Sequence, residues 1–188
     1  MGWRARDRLK PLGPVAYILK MRVTLLRDLG AAMSPFNAWA FLQGMETLPL
    51  RMREHSRNAR AVAEFLASRR DVERVIYPSQ HRGEAAERSA KYMPHLQGGL
   101  VGFELAGGAA AGARFIDALK LFYHVANIGD ARSLAIHPAS TTHSQLSGEE
   151  QFASGVAPGY VRLSIGLEHI DDILADLTQA LDAARQAV

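Results

Sequence analysis

The chain has 188 residues, of which 48% are hydrophobic and 22% charged, and its formal net charge is +3. That balance describes a globular protein able to bury one core, or one core and an accessory helical layer, and excludes a disordered or strongly basic chain. With no cysteine, disulfides, thiolate metal sites and a cysteine nucleophile are all removed, which fits a reducing cytoplasm.

The amino end carries the one basic cluster, "GWRARDRLK". It belongs to no recognisable nucleic-acid-binding pattern, so no nucleic-acid partner is expected. No apolar run approaches the length of a membrane span, and no signal peptide is visible, so the chain is expected in the cytoplasm. From 14 to 29 the apolar residues Ile18, Leu19, Val23, Leu25, Leu26 and Leu29 fall mostly at helical spacing, and Gly30 supplies a stop. Ser34 is suited to an N-cap and Pro35 to the first helical position. The helix that follows should break near Leu48, because Pro49 lacks an N–H. Its first half is apolar nearly all round (Phe36, Trp39, Phe41, Leu42, Met45), which predicts burial against another subunit or domain. Its second half is amphipathic, with Val62, Phe65 and Leu66 inward.

After Asp71 the pattern changes. "VERVIYP" and "LVGFELA" read as strands, separated by a polar loop with a short helix and ended by Pro78 and by Gly107–Gly108. "AAAGARFIDALKLF" reads as a helix, "YHVANIG" and "SLAIHP" as strand-like pieces, and "TTHSQLSGEEQFASGV" as a polar loop with one helical turn. "GYVRLSIG" is a strand. The carboxy end is an amphipathic helix marked by Ile170, Ile173, Leu174, Leu177 and Leu181. The order β-α-β-α-β-β-β-α predicts an α+β fold, a mostly antiparallel sheet covered by helices and preceded by a long helical arm. The expected division is an arm over 1–70 and a domain over 71–188.

Chemistry gathers at one position. In "YVRLSI", Arg162 shares a face with Tyr160 and Ser164, while Val161, Leu163 and Ile165 share the other. Spacing leaves two readings open: a surface arginine on an edge strand, or a guanidinium aimed at a carboxylate through its planar fork. "NIGD" is likewise either a simple turn or a place where the Asn127 amide stands beside that guanidinium. No histidine pair has metal-ligand spacing, so no metal is expected, and His137 reads as a structural residue bonded to nearby backbone. There is no nucleophile elbow, and the glycine doublets match no phosphate-binding loop.

The run "NIGDARSLAIHPASTTHSQLSGEEQ…GYVRLSIGLEHIDDILADL" strongly resembles the carboxy-terminal part of the Cys/Met-metabolism family of pyridoxal-phosphate enzymes, and "LGPVAYILKMRVTLLRDLGAAMSPF" and "SPFNAWAFLQGMETLPLRM" resemble the segments before it. The combination of "HPASTTH" with "VRLSIGLE" is specific. The resemblance implies the α/β fold of aspartate-aminotransferase-like transferases. It makes Arg162 the ligand of the substrate α-carboxylate, Asn127 its companion and Thr142 a residue at the rim. It points to the branch that converts O-acetylhomoserine and sulfide to homocysteine and acetate in methionine biosynthesis. Relatives of the cystathionine γ-synthase and methionine γ-lyase kinds, which usually carry serine at the Asn127 position, remain as alternatives, as does a noncatalytic assembly module. The family's cofactor lysine lies in a Ser/Thr-Lys context, which Lys10, Lys20, Lys91 and Lys120 do not match. The chain is therefore expected to be the carboxy-terminal half of such an enzyme. It should hold no pyridoxal phosphate and show no activity alone, and the complete enzyme should be a dimer or tetramer.

Overall fold

The computed structural model describes residues 15–185. The basic cluster at the amino end and Lys10 lie outside the described residues. The chain divides into two compact units, Met1–Glu46 and Thr47–Val188.

The first unit is helical. Helix α1 runs over residues 16–29, as Ala16–Lys20, a π-helical stretch Met21–Leu26 and a last turn Arg27–Leu29. It ends at Gly30, whose φ of 64° is the left-handed conformation that only glycine adopts without strain. Helix α2 spans Pro35–Glu46, and the Ser34 hydroxyl accepts the Asn37 N–H at 3.1 Å, the N-cap that the sequence predicts. The expected burial of α2 is not found in this chain, where Phe36 is 71%, Trp39 56% and Phe41 62% exposed. The reason is physical: a helix apolar all round needs neighbours on every side, and the described part of this unit has one other helix.

The second unit begins with helix α3, Leu48–Ser68, with Pro49 in its first turn, so the break falls at Thr47 beside the predicted position. Five strands follow, in the predicted segments: β1 Val72–Ile76, β2 Leu100–Leu105, β3 Tyr123–His124, β4 Leu134–Ile136 and β5 Tyr160–Ser164. Between them lie α4 Glu84–Tyr92, α5 Gly108–Ala118 and α6 Gly148–Ala153, and α7 Ile170–Arg185 closes the described chain. The sheet order is β1-β2-β5-β4-β3, antiparallel except for the β3–β4 pair. The fold is thus the expected α+β arrangement.

The strand bearing Arg162 is the central one. The edge-strand reading of that arginine is therefore wrong: β5 is hydrogen-bonded on both sides, to β2 and to β4. Alternation along β5 sends Val161, Leu163 and Ile165 to a face where each is fully buried with Val101, Phe103 and Leu105. Helices α3, α5 and α7 cover that face, supplying Val62, Leu66, Phe115, Ile173, Leu177 and Leu181. Each such side chain removed from water stabilises the unit by about 2 kcal/mol before entropy is counted. Phe103 and Phe115 meet edge to face, with ring centroids 5.3 Å apart. The opposite face of β5 is left for polar work.

Candidate functional site

Register places the site. Arg162 stands opposite Gly102 of β2 and Ile136 of β4, and Tyr160 stands opposite Glu104, itself paired with Arg74 across to β1. Gly102 matters here: a Cβ at that position would come within 2.6 Å of the Tyr160 hydroxyl, so a side chain would push the tyrosine off its neighbour strand. Burial drives the Tyr160 hydroxyl pKa upward, with the Arg162 charge pulling the other way, so the group stays a neutral donor at physiological pH.

Arg162 is half-buried, and its Nη2 donates to the backbone oxygen of Asn127 at 3.4 Å. Among the described residues it forms no ion pair; the neighbouring carboxylate, Glu104, is taken by Arg74. The Asn127 carbonyl thus fills one of its five N–H donors.

The Asn127 corner is thus beside Arg162, as the sequence suggests, but the atom in contact is a main-chain carbonyl. The Asn127 amide is exposed and forms no hydrogen bond among the described residues, leaving both of its functions available to a ligand. Successive tight turns, Val125 N–H to Tyr123 O and Asn127 N–H to Val125 O, curl the segment after β3. They replace the longer strand that "YHVANIG" suggests. Gly129, with φ of 74°, then donates its N–H to Ser164 Oγ at 3.1 Å.

Thr142 lies elsewhere in the chain's hydrogen-bond pattern. It is exposed on the turn after the 3₁₀ segment Pro138–Ser140, and its hydroxyl is engaged with His143 Nδ1 at 2.9 Å rather than with Arg162. That turn is held from below by two residues. His137, fully buried, bonds Pro158 O at 2.7 Å through Nε2 and Ser140 Oγ at 2.9 Å through Nδ1, the structural role expected of it. Gln151 on α6 donates to Ala139 O and His143 O at 3.1 and 2.9 Å, a support with no sequence signature.

Several positioning groups escape sequence reasoning because their partners are far away in the chain. Glu168 accepts the Ser133 N–H at 2.6 Å and its hydroxyl at 2.9 Å, and Ser133 Oγ in turn accepts the Gly166 N–H at 2.9 Å. Asn58 on α3 donates to Gly166 O and Glu168 O at 3.2 and 3.0 Å. Asp176 on α7 gathers the N–H groups of Lys120, Leu121 and Phe122, fixing the approach to β3. Among the described residues there is no cluster able to hold a metal ion, and no helix long and apolar enough to cross a membrane. The apolar groove lined by Ile18, Met21, Leu25, Leu26 and Leu29 belongs to the arm.

The molecule is thus an α+β domain whose central strand presents a guanidinium with no carboxylate partner among the described residues. A family model described as Cys/Met metabolism PLP-dependent enzyme matches residues 15–182, and the chain belongs to that family. It is 57% identical over 182 residues to the O-acetyl-L-homoserine sulfhydrylase of Leptospira meyeri, covering 95% of this chain and 41% of that protein. It is 48% identical to O-acetyl-L-homoserine sulfhydrylase 1 of Thermus thermophilus, covering 96% of this chain and 43% of the relative. It is 45% identical to the L-methionine gamma-lyase of Pseudomonas putida, covering 92% and 44%. The chain thus spans about two fifths of the length of these curated relatives. Among solved structures, a putative O-acetylhomoserine (thiol)-lyase from Campylobacter jejuni, which carries N'-pyridoxyl-lysine-5'-monophosphate, superimposes with a TM-score of 0.79 at 46% identity, covering 87% of this chain and 39% of that one. The fold is accordingly of the aspartate-aminotransferase-like kind.

The family depends on pyridoxal phosphate, but the described residues do not fit that group. Lys20, Lys91 and Lys120 are all exposed, with Lys91 lying over the Tyr92 ring at 5.2 Å, and none stands in a closed cleft.

Proposed function

We propose that Thr47–Val188, with α3 of the expected arm packed into it, form the substrate-recognition domain of an O-acetylhomoserine sulfhydrylase, and that the residues before it connect it to a cofactor-bearing part that this chain does not contain. Arg162 binds the α-carboxylate of O-acetyl-L-homoserine through two parallel N–H···O bonds, the Asn127 amide donates beside it, and Thr142 lines the rim. The reaction served is exchange of the Cγ–O bond to acetate for a C–S bond to sulfide, giving L-homocysteine and acetate. The recognition domain fixes the amino acid by the one negative charge every such substrate carries, which orients its Cα–H and Cγ–O bonds toward groups elsewhere in the enzyme. Alone, this chain binds and does not convert. The complete protein works as a homodimer or homotetramer in the cytoplasm, and the exposed apolar face of α2 favours such assembly.

The observation that carries the reading is the half-buried, carboxylate-free Arg162 held beside Asn127. The test is steady-state kinetics of the complete enzyme containing this chain. Losing a bidentate charge-assisted pair should raise KM in Arg162→Ala by about 100-fold, at about 1.5–3 kcal/mol for hydrogen bonding to a charged group. Arg162→Lys, which keeps the charge and loses the fork, should fall between. A KM within twofold of wild type in Arg162→Ala would overturn the assignment. Offering L-methionine in the same assay separates sulfide addition from a γ-lyase activity, the alternative that the Pseudomonas putida relative favours.

A further inference from the structure

The corner that holds Arg162 is built from two segments distant in sequence, 127–133 and 162–168, joined by a series of hydrogen bonds. Ser164 is two residues beyond Arg162 on the same face, almost wholly buried, and its Oγ accepts the Gly129 N–H at 3.1 Å. Four residues on, Glu168 holds Ser133 by its N–H and hydroxyl, and the Leu167 N–H reaches Ala131 O at 2.8 Å. The segments are so close that a Cβ on Gly166 would meet Ala131 O and Ser133 N at 2.5 Å each. The turn between, with Gly129 at positive φ, has no apolar anchor, because Asn127, Ile128, Gly129 and Asp130 are all exposed. Beyond the long Arg162–Asn127 contact itself and the two tight turns after β3, these bonds are what the structure offers to fix Asn127 relative to the guanidinium.

We infer that Ser164 and the Ser133–Glu168 pair are positioning residues that set how well the site discriminates a carboxylate from a neutral group. Ser164 ties the turn to the strand that carries Arg162, and Glu168 ties the end of the same turn to the strand's exit. Together they keep the Asn127 carbonyl and amide at fixed places beside the guanidinium, and a preorganised clamp loses less entropy on binding than one that must assemble. This rests on Arg162 being the carboxylate ligand.

The experiment uses the complete enzyme and two competitive inhibitors, L-homoserine and L-homoserinamide, which differ only in the group facing Arg162. The quantity read is the ratio of their inhibition constants, with Tm recorded for each variant. Ser164→Ala and Glu168→Gln should each lower the preference for the carboxylate by about fivefold, the equivalent of one hydrogen bond. Arg162→Ala serves as the reference and should nearly abolish it. If both inhibitors weaken in parallel in Ser164→Ala and the ratio holds, the serine is merely structural and the inference fails. If Arg162→Ala also leaves the ratio unchanged, the carboxylate reading itself is wrong. Should Glu168→Gln not fold, Ser164→Ala decides alone, because it removes a single bond, from the Gly129 N–H to a buried hydroxyl, and leaves the strand ladder intact.

Discussion

Asp176 offers the sharpest test of how the sheet's far side is fixed. Its carboxylate, 7% exposed on α7, accepts the Lys120 N–H at 3.0 Å, the Leu121 N–H at 2.8 Å and the Phe122 N–H at 3.4 Å, with the Gln179 amide at 2.9 Å. Asp176→Ala deletes the acceptor for three consecutive backbone donors. Lys120 is exposed and can turn to water; Leu121 is half-buried and Phe122 is buried. One to two orphaned donors, at about 1–3 kcal/mol each, give a loss of about 3 kcal/mol, a large part of the ~5–15 kcal/mol that holds a domain. Asp176→Asn keeps the shape and one carbonyl oxygen and should lose about half as much. Urea unfolding followed by circular dichroism reads this directly. With a slope of about 2 kcal/mol/M, the midpoint should fall by about 1.5 M for Ala. A fall below about 0.3 M for Ala would mean that water replaces the carboxylate at all three amides, and the reasoning would be wrong.

Further outcomes follow from the same coordinates. Arg69 donates to Asp71 at 3.0 and 2.7 Å, and this pairing holds the Asp71 carboxyl below its ordinary value of 3.8. The pair's contribution is therefore whole above that value and is lost as the pH falls through the lower folded-state pKa. The Tm gap between wild type and Asp71→Asn should thus be full at pH 7 and close on acidification below about 3.8; a gap that widened there would contradict the pairing. Gly159→Ala places a methyl against the backbone oxygen of Leu105 and 3.2 Å from its nitrogen, atoms that cannot rotate away. Its Tm should drop by several degrees, and an unchanged melting curve would show that the β2–β5 entry is looser than described. The exposed Phe36, Trp39 and Phe41 should drive concentration-dependent self-association of this chain in light scattering, reduced in Trp39→Ser; a monodisperse monomer at all concentrations would rule this out.

Much of the second unit was readable because periodicity reports which side of an element faces a core. "YVRLSI" alternates, and the structure places Val161 and Leu163 in the core and Arg162 on the other face, as alternation requires. Ser34 and Pro35 announce the start of α2, and Gly30 the end of α1, because caps and left-handed glycine are local in sequence. What was not readable is non-local. Nothing near Ser133 indicates that its partner is Glu168, 35 residues on, and nothing in the amide run 120–122 points to Asp176. The central place of β5 was also hidden, since strand order depends on crossovers that no single stretch encodes. The pattern of α2 shows that it needs cover, but not what supplies it. At the site, spacing left Arg162 and Asn127 open and the family resemblance paired them, but their contact through a main-chain oxygen depends on two tight turns that the run "YHVANIG" does not advertise.

The order β1-β2-β5-β4-β3 has a bearing on how this protein comes to exist. Before residues 160–164 emerge during synthesis, the chain can form only two separate ladders of two strands, β1 with β2 and β3 with β4. Ladders of that size barely persist in water by themselves, so until then they depend on the helices α3 and α5 that pack on them. The last strand made joins them, and the same stroke sets the guanidinium in place. A chain ending before that point would lack both the centre of its sheet and the guanidinium, rather than the guanidinium alone.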